Sequence, residues 1–145
     1  MKLGLTEGAS MEPEGAVSLV LFSGTDDRLQ AAATLTVGAA AMGRKVHLFL
    51  QYWALDAFRE DRILKDHGVS PEAGEQGLRA MQDQGKVHWS ELLRQAKDLG
   101  GVSVFACADS MEMFHITMAD LDPLVDGVWG VASFFAEADG PVTFI

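Results

Sequence analysis

Runs of consecutive apolar residues alternate along the chain with stretches that have helical periodicity. The run from Val17 to Ser23 follows a glycine and shows no polar alternation, which is typical of a strand buried on both faces. Lys45 to Leu50 and the residues after Val102 have the same character, and shorter runs occupy Val128 to Val131 and Val142 to Ile145. The pattern predicts about five strands separated by helices, the order expected of right-handed crossovers in a mainly parallel sheet.

The segments between the strands carry apolar residues at helical spacing. The segment after Thr25 begins with a possible N-cap and two acidic residues and ends at Gly43. The other predicted helices cover Ala54 to about Lys65, Trp89 to Leu99, a short stretch from near Asp109, and Ser133 to Ala138.

The first of these helices is apolar on two faces. One face is expected to lie on the sheet, and a second apolar stripe consists of Ala31, Leu35, Ala39 and Met42. A helix that is apolar on two faces usually has both of them covered. The second cover is either another copy of the chain, which would make a homo-oligomer, or a neighbouring helix of the same chain. The pattern leaves both open.

The length and composition fit one domain. The chain has 145 residues, of which 48% are hydrophobic. We expect residues 1–15 to form a flexible N-terminal tail and residues 16–145 to form a single α/β domain. Within it, the polar, glycine-containing residues 66–86 are expected to form a surface excursion with one helical turn after Ser70 and Pro71.

The charge and hydropathy exclude several classes of protein. Lys and Arg total 11 against 21 Asp and Glu, and without a basic stripe the chain is not expected to bind nucleic acid or an anionic membrane surface. No secretory signal is visible, and the most apolar stretch is shorter than the ~20 residues of a membrane-spanning helix. The single cysteine favours a reducing compartment, so we expect a soluble, cytoplasmic protein without membrane insertion.

That cysteine lies where an apolar strand changes into a helix. In the stretch VSVFACADSMEMFHI, Cys107 follows the strand that begins at Val102, and Asp109 with Glu112 resembles a capping pair for the next helix. The carboxyl ends of parallel strands are where ligands and chemistry gather in open α/β sheets. We therefore expect the Cys107 thiol to lie open to small molecules at this edge.

Residues that follow the first, second and third strands are expected to share the same edge. Tyr52 and Trp53 have large rings with a polar group and could form one wall of a pocket there, although aromatic residues also cap sheets by packing alone. The expected lining of a pocket around Cys107 is Ser23, Gly24, Tyr52, Trp53, Asp109 and Ser110.

Two other interpretations of Cys107 stay open. A cysteine at the end of an apolar strand is commonly a small buried hydrophobic residue, here in a structural or regulatory oligomer. Alternatively, Cys107, Met111, Met113 and His115 together would suit a soft metal such as Cu(I), in a non-catalytic small-ligand or metal-binding module. No Met-x-x-Met or Cys-x-x-Cys repeat is present, and we predict neither a cofactor nor a resident metal.

Three segments of the chain resemble segments of one protein family, and they occur in the same order. The segment FACADSMEM is similar to the core of the DsrE/DsrF-like sulfur-relay family. The segments LFSGTDDRLQAAATLTVGAAAMGRKVHLFLQYWALDAFR and GVASFFAEADGPVTFI resemble the two ends of one branch, described as DsrE-related and peroxiredoxin-like. The resemblance covers most of the chain except the tail and residues 66–86.

The resemblance implies a three-layer α/β/α domain with a mainly parallel sheet of about five strands, assembled into homo-oligomers. It also implies that Cys107 lies where relay members carry a persulfide between a sulfur donor such as a rhodanese and a thiol acceptor protein. One cysteine is sufficient for that chemistry. The chain is therefore expected to be a sulfur carrier or possible sulfurtransferase. Peroxide reduction is not expected, because no resolving cysteine is present.

Overall fold

A fully parallel five-stranded sheet forms the centre of the molecule. The computed structural model describes residues 15–83 and 85–145. The strand order is β4-β3-β2-β1-β5, and every neighbouring pair is parallel. The predicted α/β class and five-stranded parallel sheet are confirmed. The strands are β1 (Val17–Leu21), β2 (Val46–Leu50), β3 (Val102–Cys107), β4 (Gly127–Trp129) and β5 (Val142–Phe144).

Helices connect these strands, and 3-10 turns occur at Pro71–Ala73 and Met118–Asp120. In the described part of the chain, no helix combines the length and the apolar character needed to cross a bilayer. The helices are α1 (Asp26–Ala41), α2 (Tyr52–Ala57), α3 (Gly74–Asp83), α4 (Trp89–Leu99), α5 (Ala108–Phe114) and α6 (Val131–Glu137).

The main hydrophobic core lies on the face of the sheet that α1 and α4 cover. Alternate residues of the central strands point into this core, among them Leu19, Leu48 and Val104. The two helices also pack on each other. Phe58 and Trp89 extend the core beyond the sheet edge, with ring centroids 5.1 Å apart. This face therefore contains most of the buried apolar surface.

The opposite face has a much thinner cover. Among the described helices, only α6 contributes a residue, Phe134, to the small cluster on this face. Phe134 stacks on Phe49 of β2 with ring centroids 4.6 Å apart, and Val20 and Cys107 complete the cluster. Helices cover both faces, as a three-layer α/β/α arrangement requires, but the two outer layers are very unequal.

The second apolar stripe of α1 is left open within the chain. Leu35 is 52% exposed and Met42 is 75% exposed, although α4 packs along α1. Ala31 is exposed as well, and Ala39 is half-buried. A neighbouring helix of the same chain therefore does not cover most of this stripe, and the homo-oligomer stays a prediction.

Two helical predictions are wrong in length. The second helix ends at Ala57 instead of near Lys65, because the following residues form turns in which Arg59 makes a β-bridge with Leu121. The excursion contains a ten-residue helix, α3, rather than a single turn. Its glycines at 74 and 77 fall in the first turn, where they cost less than in the interior of a helix. Apart from Gly15, the predicted tail lies outside the described residues.

Candidate functional site

Cys107 lies at the junction between β3 and α5. It is the last residue of β3, in register with Trp129 of β4, and it is also the N-cap residue of α5. Its backbone is extended, with φ −73° and ψ 122°, and the helix begins at the next residue. The position at the carboxyl edge of the sheet is therefore the one that the sequence pattern indicated.

The thiol itself is buried. Cys107 is 1% exposed, and its cluster consists of Val20, Phe49 and Phe134, with Trp129 packed at the margin. The expectation that the thiol lies open to small molecules is wrong. Alternation along β3 turns the Cys107 side chain toward the thin face of the sheet, where α6 returns over it.

One polar group reaches the sulfur. The Gln51 side-chain amide donates to Cys107 Sγ, with a distance of 3.8 Å between Nε2 and Sγ. Gln51 follows β2 directly and is half-buried. An amide donor in this place would also donate to a thiolate or to a persulfide, since both are better acceptors than a thiol. Gln51 is not among the predicted site residues, although it precedes Tyr52 at the end of a predicted strand.

Three of the six predicted lining residues gather at a cavity of about 270 Å³. Cys107 is not among the residues that line it, so the predicted pocket around the thiol is not formed by this set. The cavity is lined by Ser23, Gly24, Thr25, Trp53, Asp56, Arg62 and His67.

This small cavity has polar walls. The Ser23 and Thr25 hydroxyls lie 3.1 Å apart, and Arg62 Nε pairs with Asp56 Oδ2 at 3.0 Å. His67 Nε2 is buried and has no hydrogen-bond partner among the described residues. The sequence pattern assigned Asp56 and Arg62 to one long helix. The turns after α2 bring them together instead.

Gly24 is needed for the close approach of two loops at this edge. A Cβ atom at this position would lie 2.3 Å from the Trp53 carbonyl oxygen, which is far inside van der Waals contact. The loop after β1 therefore passes against the start of α2, and any side chain at position 24 would force them apart.

The other three predicted lining residues, Tyr52, Asp109 and Ser110, do not line this cavity. The Tyr52 backbone amide donates to Ser110 Oγ at 3.1 Å, and the Tyr52 ring packs 5.0 Å from Phe22 and 6.1 Å from Phe114, measured between centroids. Asp109 is exposed on α5. The predicted capping pair is also wrong, because the N-cap of α5 is Cys107 and its side chain makes no capping bond.

The amino terminus of α1 is occupied by its own carboxylates. Asp26 accepts from the Trp89 indole and from the His67 amide, both at 3.0 Å. Asp27 accepts from the Ser70 amide. Burial alone would raise the pKa of Asp27, but hydrogen bonds from Thr25 and Ser70 lower it overall. These acids tie the excursion to α1 and place two negative charges at this helix end, which disfavours an external anion there.

The soft-metal ligands considered from the sequence are separated. Cys107 belongs to the cluster on the thin face, whereas Met111 packs against the main core. Met113 and His115 are exposed on the outside of α5. Residues 15–83 and 85–145 also contain no group of three or more His, Cys, Asp or Glu side chains with the spacing of a metal site.

Comparisons with known proteins found a matching family model, a protein of similar sequence and a structure of similar fold. The model of the DsrE/DsrF/DrsH-like family matches residues 13–74. The uncharacterized protein YrkE of Bacillus subtilis (strain 168) is 27% identical over 146 residues, which cover 84% of this chain and 90% of YrkE. The structure of MTH1491, a protein of unknown function from Methanobacterium thermoautotrophicum, superimposes with a TM-score of 0.54. That match has 16% identity and covers 85% of this chain and 90% of MTH1491, so it supports the fold alone. The predicted resemblance to the DsrE/DsrF-like family is therefore confirmed, by a family model that runs from before β1 to the start of α3.

Proposed function

We propose that this chain carries sulfur as a persulfide on Cys107, taken from a donor such as a rhodanese and passed to a thiol acceptor protein. The family likeness supports a part in sulfur relay. The family match ends at residue 74, so the role of Cys107 rests on its own position. Cys107 is the chain's one cysteine, and it lies at the end of a parallel strand, beside an amide that would donate to a charged sulfur.

The proposed transfer balances without an added oxidant or reductant. The Cys107 thiol loses its proton to solvent, and the thiolate attacks the outer sulfur of the donor persulfide. A new S–S bond forms at Cys107 while the donor's S–S bond breaks, and the donor leaves as a thiolate. An acceptor thiolate then attacks the outer sulfur on Cys107, which releases Cys107 as a thiolate again.

Transfer requires that the buried thiol be uncovered. The element over it, α6, has seven residues, and Phe134 is its one buried side chain. Burying a phenylalanine contributes about 1.5–3 kcal/mol, so detachment of α6 would populate an open state at roughly 1–10%. The main core lies on the other face of the sheet and would stay intact.

The decisive experiment is intact-mass spectrometry after incubation with a rhodanese and thiosulfate. We expect additions in steps of about 32 Da, the mass of one sulfur atom, and removal of the addition by a thiol reductant. Cys107→Ser differs from the natural chain by one atom and should show no addition. An unmodified natural chain, with the donor shown to be loaded, would overturn the proposal.

The burial of Cys107 favours one competing function, a structural role in which the thiol only fills space. Under that interpretation iodoacetamide would modify the chain only after unfolding, and no persulfide would form. Under the relay proposal, native protein is alkylated slowly but completely, because α6 opens repeatedly. Alkylation kinetics of the native and urea-unfolded chain therefore distinguish the two.

We also propose that the chain acts as a cytoplasmic homo-oligomer. A relay thiol has to return to the reduced form after each transfer, which suits a reducing compartment. The uncovered apolar stripe of α1, with Leu35 and Met42 exposed, supports contact with a second copy. The oligomeric state is tested below by sedimentation.

A further inference from the structure

The helix α3 has a strongly amphipathic sequence, yet none of its residues is buried. Its main contacts are with the neighbouring 3-10 turn Pro71–Ala73. A ten-residue helix is marginal in water by itself, and helices in proteins depend on packing of their apolar face. Within residues 15–83 and 85–145, α3 therefore has no buried apolar contact that would hold it in place.

Beneath α3 lies a cavity with a volume of about 540 Å³. Cavities of roughly 300–1,000 Å³ are the size that holds small organic ligands. The walls are predominantly apolar, and they come from α1, α3, the turns after α2 and the start of α4. The larger apolar wall residues are Leu64, Val69, Leu78, Met81, Val87 and Trp89.

The lysines at this cavity are free to pair with a ligand, whereas the aspartates already accept hydrogen bonds. Lys65 and Lys86 line it, and neither ammonium group is in an ion pair with a described residue. Asp26 also lines it, but both carboxylate oxygens already accept hydrogen bonds, from Trp89 and His67. Asp66 accepts from the Gly68 amide through one oxygen. The two ammonium groups are therefore the charged groups at this cavity that are free to pair with a carboxylate of a ligand.

We propose that this cavity binds a small amphiphile with an apolar chain and a carboxylate head. The chain fills the space between α3 and the body of the domain, and the head lies at the lysines. Binding supplies the apolar contact that α3 lacks, so it also orders this helix. The site is on the side of α1 and α4, across the sheet from Cys107, and it does not depend on the proposed sulfur chemistry.

Decanoate is the probe, with two matched controls. Decyltrimethylammonium has the same chain with a cationic head, and acetate has the same head without the chain. Isothermal titration of the full chain should give saturable decanoate binding below the micellar range, with weaker binding of the cation and none of acetate. Hydrogen exchange at residues 74–83 should slow when decanoate is bound.

Substitutions of an apolar residue that lines the cavity and of the two lysines test the site. Leu78→Gln should weaken decanoate binding about tenfold, because a partly buried leucine loses its apolar contact. The control Leu99→Gln alters an exposed leucine of α4 outside the cavity and should leave binding unchanged. Lys65→Gln with Lys86→Gln should also weaken binding about tenfold, whereas Lys45→Gln, away from the cavity, should not.

Three results would overturn the proposal. One is no saturable binding of decanoate by the natural chain. Another is equal affinity for decanoate and decyltrimethylammonium, which would remove the anionic head from the argument. The third is a Leu78→Gln chain that binds decanoate normally but changes its sedimentation, which would show that a second copy of the chain fills the cavity.

Discussion

At the residue scale, one aromatic side chain packs over the thiol. Phe134 stacks on Phe49 and covers Cys107, while its neighbour Phe135 is 62% exposed on the same helix. The reactivity of Cys107 is therefore expected to follow the packing of α6. A sulfur held here would be shielded from water until the helix moves, which would protect a persulfide between transfers.

Replacing Phe134 by alanine should make the native thiol more reactive. The lost burial of about 1.5–3 kcal/mol corresponds to an increase of about 10- to 100-fold in the rate of alkylation by iodoacetamide. The rate is measured by intact mass under native conditions. Phe135→Ala removes the same ring from the exposed side of α6, where it makes only an edge contact with Phe134, and should change the rate much less. Equal rates for the natural chain and Phe134→Ala would show that α6 does not gate Cys107.

A second residue-scale prediction concerns Asp122, which is buried after α5. Both of its oxygens accept from Arg94 at 3.1 Å, and Oδ1 also accepts from the Leu124 amide at 2.8 Å. The hydrogen bond with Asp122 raises the pKa of Arg94, so the guanidinium group stays charged over the ordinary pH range. Because Arg94 is partly exposed, we expect Asp122→Ala to lower the free energy of unfolding by about 2 kcal/mol.

The matched control for the Arg94–Asp122 ion pair is Glu72→Ala. The Arg28–Glu72 pair is exposed and has a longer N–O distance, 3.5 Å, so its loss should cost less than about 0.5 kcal/mol. Urea unfolding of both variants gives the comparison. A loss at Asp122 no larger than the loss at Glu72 would contradict the assigned role of the buried carboxylate.

At the element scale, the start of α4 depends on an unusual cap. His88 precedes the helix, and its Nδ1 accepts from the Ser90 amide at 3.2 Å and lies 2.7 Å from Ser90 Oγ. An imidazole accepts through Nδ1 only while that nitrogen is unprotonated. Burial lowers the pKa of His88, while Asp26 opposes this shift and His67 adds to it. The fold therefore favours the neutral ring that the cap requires.

The stability of the chain should consequently rise with pH through the histidine range. A histidine whose pKa is lowered by folding contributes its full stability above the unfolded value of 6.5, and loses that contribution as the pH falls through the folded pKa. We expect a higher free energy of unfolding at pH 7.5 than at pH 5.5. His88→Asn should keep a cap and reduce this difference, whereas His88→Ala should cost about 1 kcal/mol at pH 7.5.

His47 contributes to the same pH dependence. It lies on the thin face of the sheet, where burial lowers its pKa, Glu137 raises it and Lys45 lowers it. His47→Gln therefore serves as the companion variant in the unfolding experiments. If His88→Asn leaves the difference between pH 5.5 and pH 7.5 unchanged, the capping account of α4 is wrong, whatever the result for His47→Gln.

At the scale of the whole molecule, the domain has one thick and one thin side. The thick side carries the main core and α1, whose outer stripe stays open to solvent. The thin side consists of α6 over the small cluster and also leaves Phe135 and Phe144 exposed. Contiguous apolar surface of this kind marks contact with other molecules, and the α1 stripe is the candidate for contact between copies.

Sedimentation of the natural chain should therefore show an oligomer, and Leu35→Asp should dissociate it by placing a charge in the α1 stripe. Leu99→Asp introduces the same charge at an exposed leucine of α4 and should leave the assembly unchanged. Dissociation by Phe135→Asp but not by Leu35→Asp would place the interface on the thin face instead. A monomeric natural chain would contradict the prediction altogether.

The sequence by itself determined the order and type of most elements. Local periodicity in the sequence is sufficient to predict the strands around Leu19, Leu48 and Val104. It is also sufficient to predict the apolar face of α4. The position of Cys107 at a strand end follows from the same pattern. The family likeness also comes from short segments of sequence, and it agrees with the parallel sheet.

The tertiary structure alone decided which face of β3 the thiol occupies and what covers it. Strand alternation is visible in the sequence, but the return of α6 over the thin face depends on contacts between residues far apart in the chain, such as Phe134 with Phe49. The same holds for α3, whose glycines predicted a loop and whose apolar side overlies a cavity. Burial of Cys107 is a property of this packing, because local pattern places a side chain on a face and only the assembled layers close that face to water.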